Sequence, residues 1–400
     1  MTELALALRF MLAAAAVSIV TERLRVPYTI GLVIAGLVTG SMHLVPPIAV
    51  TPELLLTLLI PPLLFEGGLR LPPTQLKVYG GLIGLLAIPG TFLTALAIAA
   101  AVQALFHIGL IPALLLGAII SAIDPVGVLA FMREARLDIR LGSILEGEAV
   151  LNDGVAIILF TIIGGGAAVS LTRAGLQFVW LLGGGVAAGG LVALAISFIL
   201  GRTQQALVEA LGSLIAALGA LLAANSIGAS GVIAVITAGV VFGSYGRRYL
   251  TESGLETVRT TWDVIAFLAN SVLFLLIGLE APAALLGRHW PLIVVVIAAA
   301  FAARVAIVYG CTALRWTRGH PFPGAWRFVL VWGGLRGGVA IALALGLDRA
   351  MPAREAIVAS AFGVVLFTLL VQGSSIRPMM RWAGLMPGGR QNATSAANTH

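Results

Sequence analysis

Charge is scarce in this 400-residue chain: only 10% of its residues are charged, against roughly 25% in an average soluble domain. That shortage excludes a water-soluble globular protein, whose surface would need far more ionic side chains. Cysteine occurs once, as Cys311, so no internal disulfide can form and a dithiol redox centre is excluded. The five histidines show no metal-ligand spacing, and neither a phosphate-binding loop nor a nucleophile elbow is present. No long polar stretch interrupts the apolar runs, so a separate soluble domain is not expected. The first run, 4–20, lacks a cleavage region and is read as a membrane helix rather than a removed leader.

What is there is apolar. Sixty per cent of the residues are hydrophobic and the mean hydropathy is +1.06. Runs long enough for a bilayer recur near 4–20, 27–42, 52–69, 78–104, 110–132, 143–169, 176–200, 206–224, 228–243, 261–281, 290–313, 326–346 and 355–376. They are continuously apolar rather than alternating, which predicts an all-α polytopic membrane protein of 13 transmembrane helices and not a barrel. The 48 glycines, often consecutive, suit close helix packing in lipid.

The 24 basic residues follow the loops. Seventeen lie in one alternate set, four in the other, and Arg9, Arg304 and Arg336 lie within spans. This bias predicts an outside N-terminus and a cytoplasmic C-terminus in the cell (plasma) membrane. It also accounts for the formal charge of +7 without a nucleic-acid partner. The stretch 385–400, rich in Gly, Asn, Ser and Thr, reads as a short disordered cytoplasmic tail.

Thirteen spans divide as six, a linker and six, giving two inverted repeats in which the fifth span corresponds to the twelfth. Both carry helix-breaking chemistry at mid-depth. The fifth has Asp124-Pro125, where the proline lacks an N–H and disfavours helix before it. The twelfth has Gly333, Gly334, Gly337 and Gly338 around Arg336. Proline and glycine in one such segment would pass for packing devices. At matching positions, each beside a charge, they predict crossed discontinuous helices around an ion pathway.

Four carboxylates, Glu66, Asp124, Glu148 and Asp153, fall in these apolar runs. Each costs roughly 2.5–3.5 kcal/mol at a helix centre on insertion scales, so a functional reason is expected. Asp124 and Asp153 come at similar depth on adjacent spans and could share a monovalent cation through oxygen ligands. A carboxylate there can take a proton or a cation in turn, the minimum needed for exchange. Glu148 and Asn152 share a helix face four residues apart. Glu148 is the candidate counter-ion for Arg336, with Asn152 bonding to it and Asp153 left to exchange. Arg304 is expected to pair or cap within the core. Glu66 is read either as lining an access funnel or completing the ligand set, or as a simple interfacial acid, and Glu146 is read as a solvated acid.

The segments from Leu63 to Leu69, Asp124-Pro125-Val126, Glu148 to Asp153 and Gly334 to Gly338 resemble the sodium/proton exchanger family of monovalent cation/proton antiporters, NhaP-type, in order over nearly the whole chain. The resemblance implies an NhaA/NhaP-like fold and a homodimer within membrane lipid. A moving core (approximately 78–169 and 290–376) would slide past a dimerisation unit (approximately 4–69 and 176–281), both within a transmembrane domain 1–384. It implies that Asp153 and Asp124 bind the cation, with the main chain of Ile123 and Asn152 beside them. Glu148 would pair with Arg336, and Asn152 would mark electroneutral one-for-one exchange without a cofactor. Two positions depart from the family pattern: Ile123 replaces the usual Thr and Ala149 the usual Ser, which removes a hydroxyl ligand and loosens the site. The reading is a Na⁺/H⁺ antiporter serving pH and salt homeostasis, with K⁺ or Li⁺ as further cations. Its rivals are a K⁺/H⁺ antiporter, an intramembrane aspartyl protease and a cation channel.

Overall fold

The computed structural model describes residues 2–24, 28–42, 54–124, 129, 132, 138–165, 170–313 and 322–385. Pro125 and most of the disordered-tail assignment lie outside the described residues. Within them the chain is helical, with no strand, as its continuous apolar runs dictate. The helices are α1 (Thr2–Leu24), α2 (Tyr28–Ser41), α3 (Ile60–Arg70), α4 (Pro73–Phe106), α5 (Leu110–Ser121), α6 (Ile139–Gly164), α7 (Leu171–Leu200) and α8 (Ala206–Ser226). They continue with α9 (Gly231–Ser244), α10 (Glu252–Leu279), α11 (Ala283–Arg288), α12 (Trp290–Ala313), α13 (Gly324–Trp332), α14 (Gly338–Leu345), α15 (Arg354–Phe367) and α16 (Ser374–Trp382). Among the described residues, seven helical stretches are long and apolar enough to cross a membrane, the last being Arg354–Trp382 taken whole. The protein is a multi-pass membrane protein.

Local signals set several boundaries. Asp138 caps α6 by accepting from the Arg140 N–H at 2.9 Å. Its hydrogen bonds to the Arg140 side chain also hold its carboxyl below the usual range, so the cap stays ionised in mild acid. Thr251 caps α10, accepting from the Gly254 N–H at 3.0 Å. The apolar runs near 110–132 and 326–346 are not single helices. The first stops at Ser121 and continues extended through Asp124; the second stops at Trp332 and resumes at Gly338.

Two packing groups meet around these breaks. In one, α4 lies along α5, α6 and α12, while α15 covers α5, α12 and α14. In the other, α10 lies along α2, and α9 along α3, α7 and α8. Glycine permits the closest approach here. A Cβ on Gly68 of α3 would come within 2.6 Å of the Ile236 carbonyl of α9, so the two backbones touch where α3 carries Glu66. Contacts of α6 with α3, α7 and α9 join the groups.

Candidate cation-binding site

The broken segments pass against each other and satisfy one another. The Asp124 N–H donates to the Leu335 carbonyl at 2.9 Å. Arg336 Nη1 donates to the carbonyls of Ser121 and Ala122, at 3.0 and 3.2 Å, where α5 ends. The negative end of one half-helix thereby receives a guanidinium. Asp124 sits at the opposite kind of terminus: a Cβ on Gly337, the residue capping α14, would collide with its carboxylate. Thr368 ties the second break to the turn after α15, accepting from the Arg336 N–H at 3.1 Å. That turn, Thr368–Gly373, is wound as a π-helix, a local irregularity frequent at functional sites.

Arg304 does for α13 what Arg336 does for α5. The Leu330 carbonyl has lost its helical partner to the break, and Arg304 donates to it from Nε at 3.0 Å and Nη2 at 2.7 Å. The same guanidinium holds Glu148, through Nη1 to Oε1 and from Nη2 to Oε2 at 2.9 Å. The pair expected between Glu148 and Arg336 is therefore not formed. Glu148 faces α12, not the crossing, and its partner is Arg304. Nor does Asn152 bond to Glu148. Its Oδ1 accepts from the Ile123 N–H at 2.9 Å and its Nδ2 donates to Thr91 Oγ1 at 2.6 Å. Asn152 thus holds the Ile123 N–H at the end of the broken segment, and its helical neighbour Asp153 meets the same Ile123 backbone.

Asp153 and Asp124 line one cavity of about 90 Å³, with Ile123, Ala149, Gly337 and Gly338. Both carboxylates are half-buried, whereas Glu148, Asn152, Arg304 and Arg336 are almost wholly enclosed. The Ala149 methyl occupies the wall where the family resemblance expects a hydroxyl. Glu66 also lines this cavity, paired with Arg70, whose Nη2 reaches Asp263 of α10 at 2.6 Å. Glu146 lines it as well and is half-buried, so it is not the plainly solvated acid expected. Glu146 lies seven residues from Asp153 on α6, about 10 Å at the helical rise. The cavity therefore extends from the paired aspartates towards the α6 N-terminus and the α3 C-terminus.

Several contributors escaped the sequence reading. Thr91 follows Pro89-Gly90 inside α4, a break signal that could have marked it. Asn270, from α10, is an isolated amide in an apolar span and lines the same cavity as the aspartates. Arg304 was expected to pair or cap within the core, but neither its choice of Glu148 nor the clamp by Thr368 carries a signature in spacing.

Crossing half-helices around buried acids define a membrane transporter. The chain belongs to the sodium/hydrogen exchanger transmembrane family, whose model matches residues 10–382. It is 36% identical over 376 residues to the Na⁺/H⁺ antiporter ApNhaP of Aphanothece halophytica, covering 92% of this chain and 72% of that one. It is 34% identical over 349 residues to the Na⁺/H⁺ antiporter NhaP of Pseudomonas aeruginosa, covering 82% and 81%. The fold matches that of the sodium proton antiporter MjNhaP1 of Methanocaldococcus jannaschii with a TM-score of 0.76, at 21% identity and over 94% of this chain and 98% of that one. The protein is a transporter, not an enzyme, which removes the aspartyl protease from consideration.

Proposed function

We propose that the protein is a secondary active antiporter that exchanges Na⁺ for H⁺, with K⁺ and Li⁺ as further cations it can carry. The observation that carries this reading is the single cavity shared by Asp153 and Asp124, beside backbone freed by two broken helices. Hard monovalent cations take carboxylate, amide and main-chain oxygens, and this wall offers them. Proton and cation compete for Asp153, so the site crosses the membrane loaded with one or the other. With Asn152 neutral and engaged in holding the Ile123 peptide, one acid exchanges charge, which favours an electroneutral one-for-one cycle. The relatives named as Na⁺/H⁺ antiporters support the cation; the hydroxyl missing at Ala149 supports a looser preference among Na⁺, K⁺ and Li⁺.

The finer architecture belongs to the same reading. The thirteen spans form two inverted repeats, with the N-terminus outside and the C-terminus cytoplasmic in the plasma membrane, as a homodimer. The group containing α4–α6 and α12–α15 is the moving core of an elevator. The group containing α1–α3 and α7–α10 is the stationary, dimer-forming scaffold. In the cell this would serve pH and salt homeostasis.

The test is flux. Proteoliposomes loaded at one pH and diluted into Na⁺, K⁺ or Li⁺ should show cation-dependent change of internal pH, with the apparent KM for the cation rising as external pH falls. Asp153→Asn should abolish exchange while eluting as wild type on size exclusion. Transport by that variant at the wild-type rate would overturn the assignment.

A further inference from the structure

On α10 an amide, Asn270, stands between Ala269 and Ser271 in an otherwise apolar stretch, 9% exposed. A buried amide left without partners costs roughly 1–3 kcal/mol, so its placement calls for a reason. Its described partner is the Tyr28 side chain of α2. The Tyr28 ring packs on Phe267 one turn earlier on α10, with centroids 5.5 Å apart, so the hydroxyl is fixed in place. That hydroxyl lies within electrostatic reach of Asp124 and Glu66. The amide therefore sits in the wall of the aspartate cavity, held from behind, on the packing group that does not carry the aspartates.

We propose that Asn270, positioned by Tyr28, is a stationary cation ligand on the scaffold wall, one that the ion touches on its way to Asp153 but leaves behind when the site moves. A cation in the cavity selects the amide orientation that turns Oδ1 towards it and gives Nδ2–H to the phenolic oxygen, which can accept. The ligand is neutral, so it adds affinity without altering the number of protons exchanged. Because it belongs to one wall, it acts on the side from which this cavity is reached, past Glu66 and Glu146. If the hydrogen bond merely tied α2 to α10, its loss would weaken the protein and disturb both faces alike. This inference rests on the antiport reading.

Sided measurements separate the possibilities. In vesicles of known orientation, Asn270→Ala should raise the Na⁺ KM on the Glu66 side by about five- to tenfold, with the KM on the opposite side changed by less than about twofold. The maximal efflux rate should not fall. Tyr28→Phe keeps the ring on Phe267 and removes only the hydroxyl, and should raise the same KM by about two- to threefold. Equal KM shifts on both sides, or no shift in either variant, would overturn the proposal while leaving exchange by Asp153 intact. Absence of Na⁺/H⁺ exchange by the wild-type protein in the same vesicles would overturn both readings.

Discussion

Removing the Glu148 carboxylate would leave Arg304, 4% exposed, without the acid that neutralises it. Breaking one side of a buried pair costs about 3–5 kcal/mol, more than losing an acid that already faces a wet cavity. Glu148→Ala should therefore lower the thermal midpoint in detergent well below that of Asp153→Asn, even though the second is the variant expected to abolish transport. Replacing both partners, as Glu148→Leu with Arg304→Met, should recover part of the loss. Recovery stays incomplete because the Leu330 carbonyl then has no donor. Equal midpoints for Glu148→Ala and Asp153→Asn would mean that the pair contributes little. At this scale the sequence was informative about which residues matter and silent about who meets whom. Glu148, Arg304 and Arg336 all stand out as ions in apolar runs. Glu148 reaches Arg304 across 156 residues, and no spacing rule distinguishes that arginine from Arg336.

The element that sets the site is the pair of broken helices, and Gly337 is where they come closest. A methyl there collides with the Asp124 carboxylate, whereas a methyl on Gly334 would stand 3.0 Å from Arg304 Nε, a tight contact rather than an overlap. Gly337→Ala should thus reduce exchange by at least about tenfold and Gly334→Ala by much less, both folding normally, since the deeper overlap is the costlier overpacking. The flux assay above reads both, and a wild-type rate for Gly337→Ala would place Asp124 away from α14 during transport. The breaks themselves were legible. Four glycines around an arginine cannot continue a helix without cost, and the structure interrupts the span between Trp332 and Gly338. The companion break after Ser121 was read from Pro125, and the orphan carbonyls it leaves are the ones Arg336 takes. What was not legible is which carbonyls the arginines cap, because a cap's partner is recognised only once that carbonyl is in place.

At the scale of the molecule, the elevator proposed above requires its core to move past its scaffold, and α3 and α6 form one contact between the two packing groups. A Cβ on Gly67 would lie 3.8 Å from the Val150 Cβ, inside the span of about 3.5–4.5 Å that a disulfide needs. In a Cys311→Ser background, Gly67→Cys with Val150→Cys should cross-link on oxidation and lose at least about tenfold in exchange, regained with a reducing agent. Full exchange by the cross-linked protein, its bond verified by gel mobility, would show that this contact need not slide.

By itself the sequence determined the solvent, the helical class and the positions where helices fail. These follow from composition, run length and backbone chemistry, which are properties of short stretches of chain. It also marked Asp124 and Asp153, because an acid in an apolar run is costly wherever the run folds. Only the tertiary structure decided that Arg304 and not Arg336 holds Glu148, that Thr91 and Ile123 occupy Asn152, and that Asn270 lines the aspartate cavity from another helix. Those outcomes depend on which faces of distant helices are turned together, and that is set by packing summed over the whole molecule rather than by any local pattern.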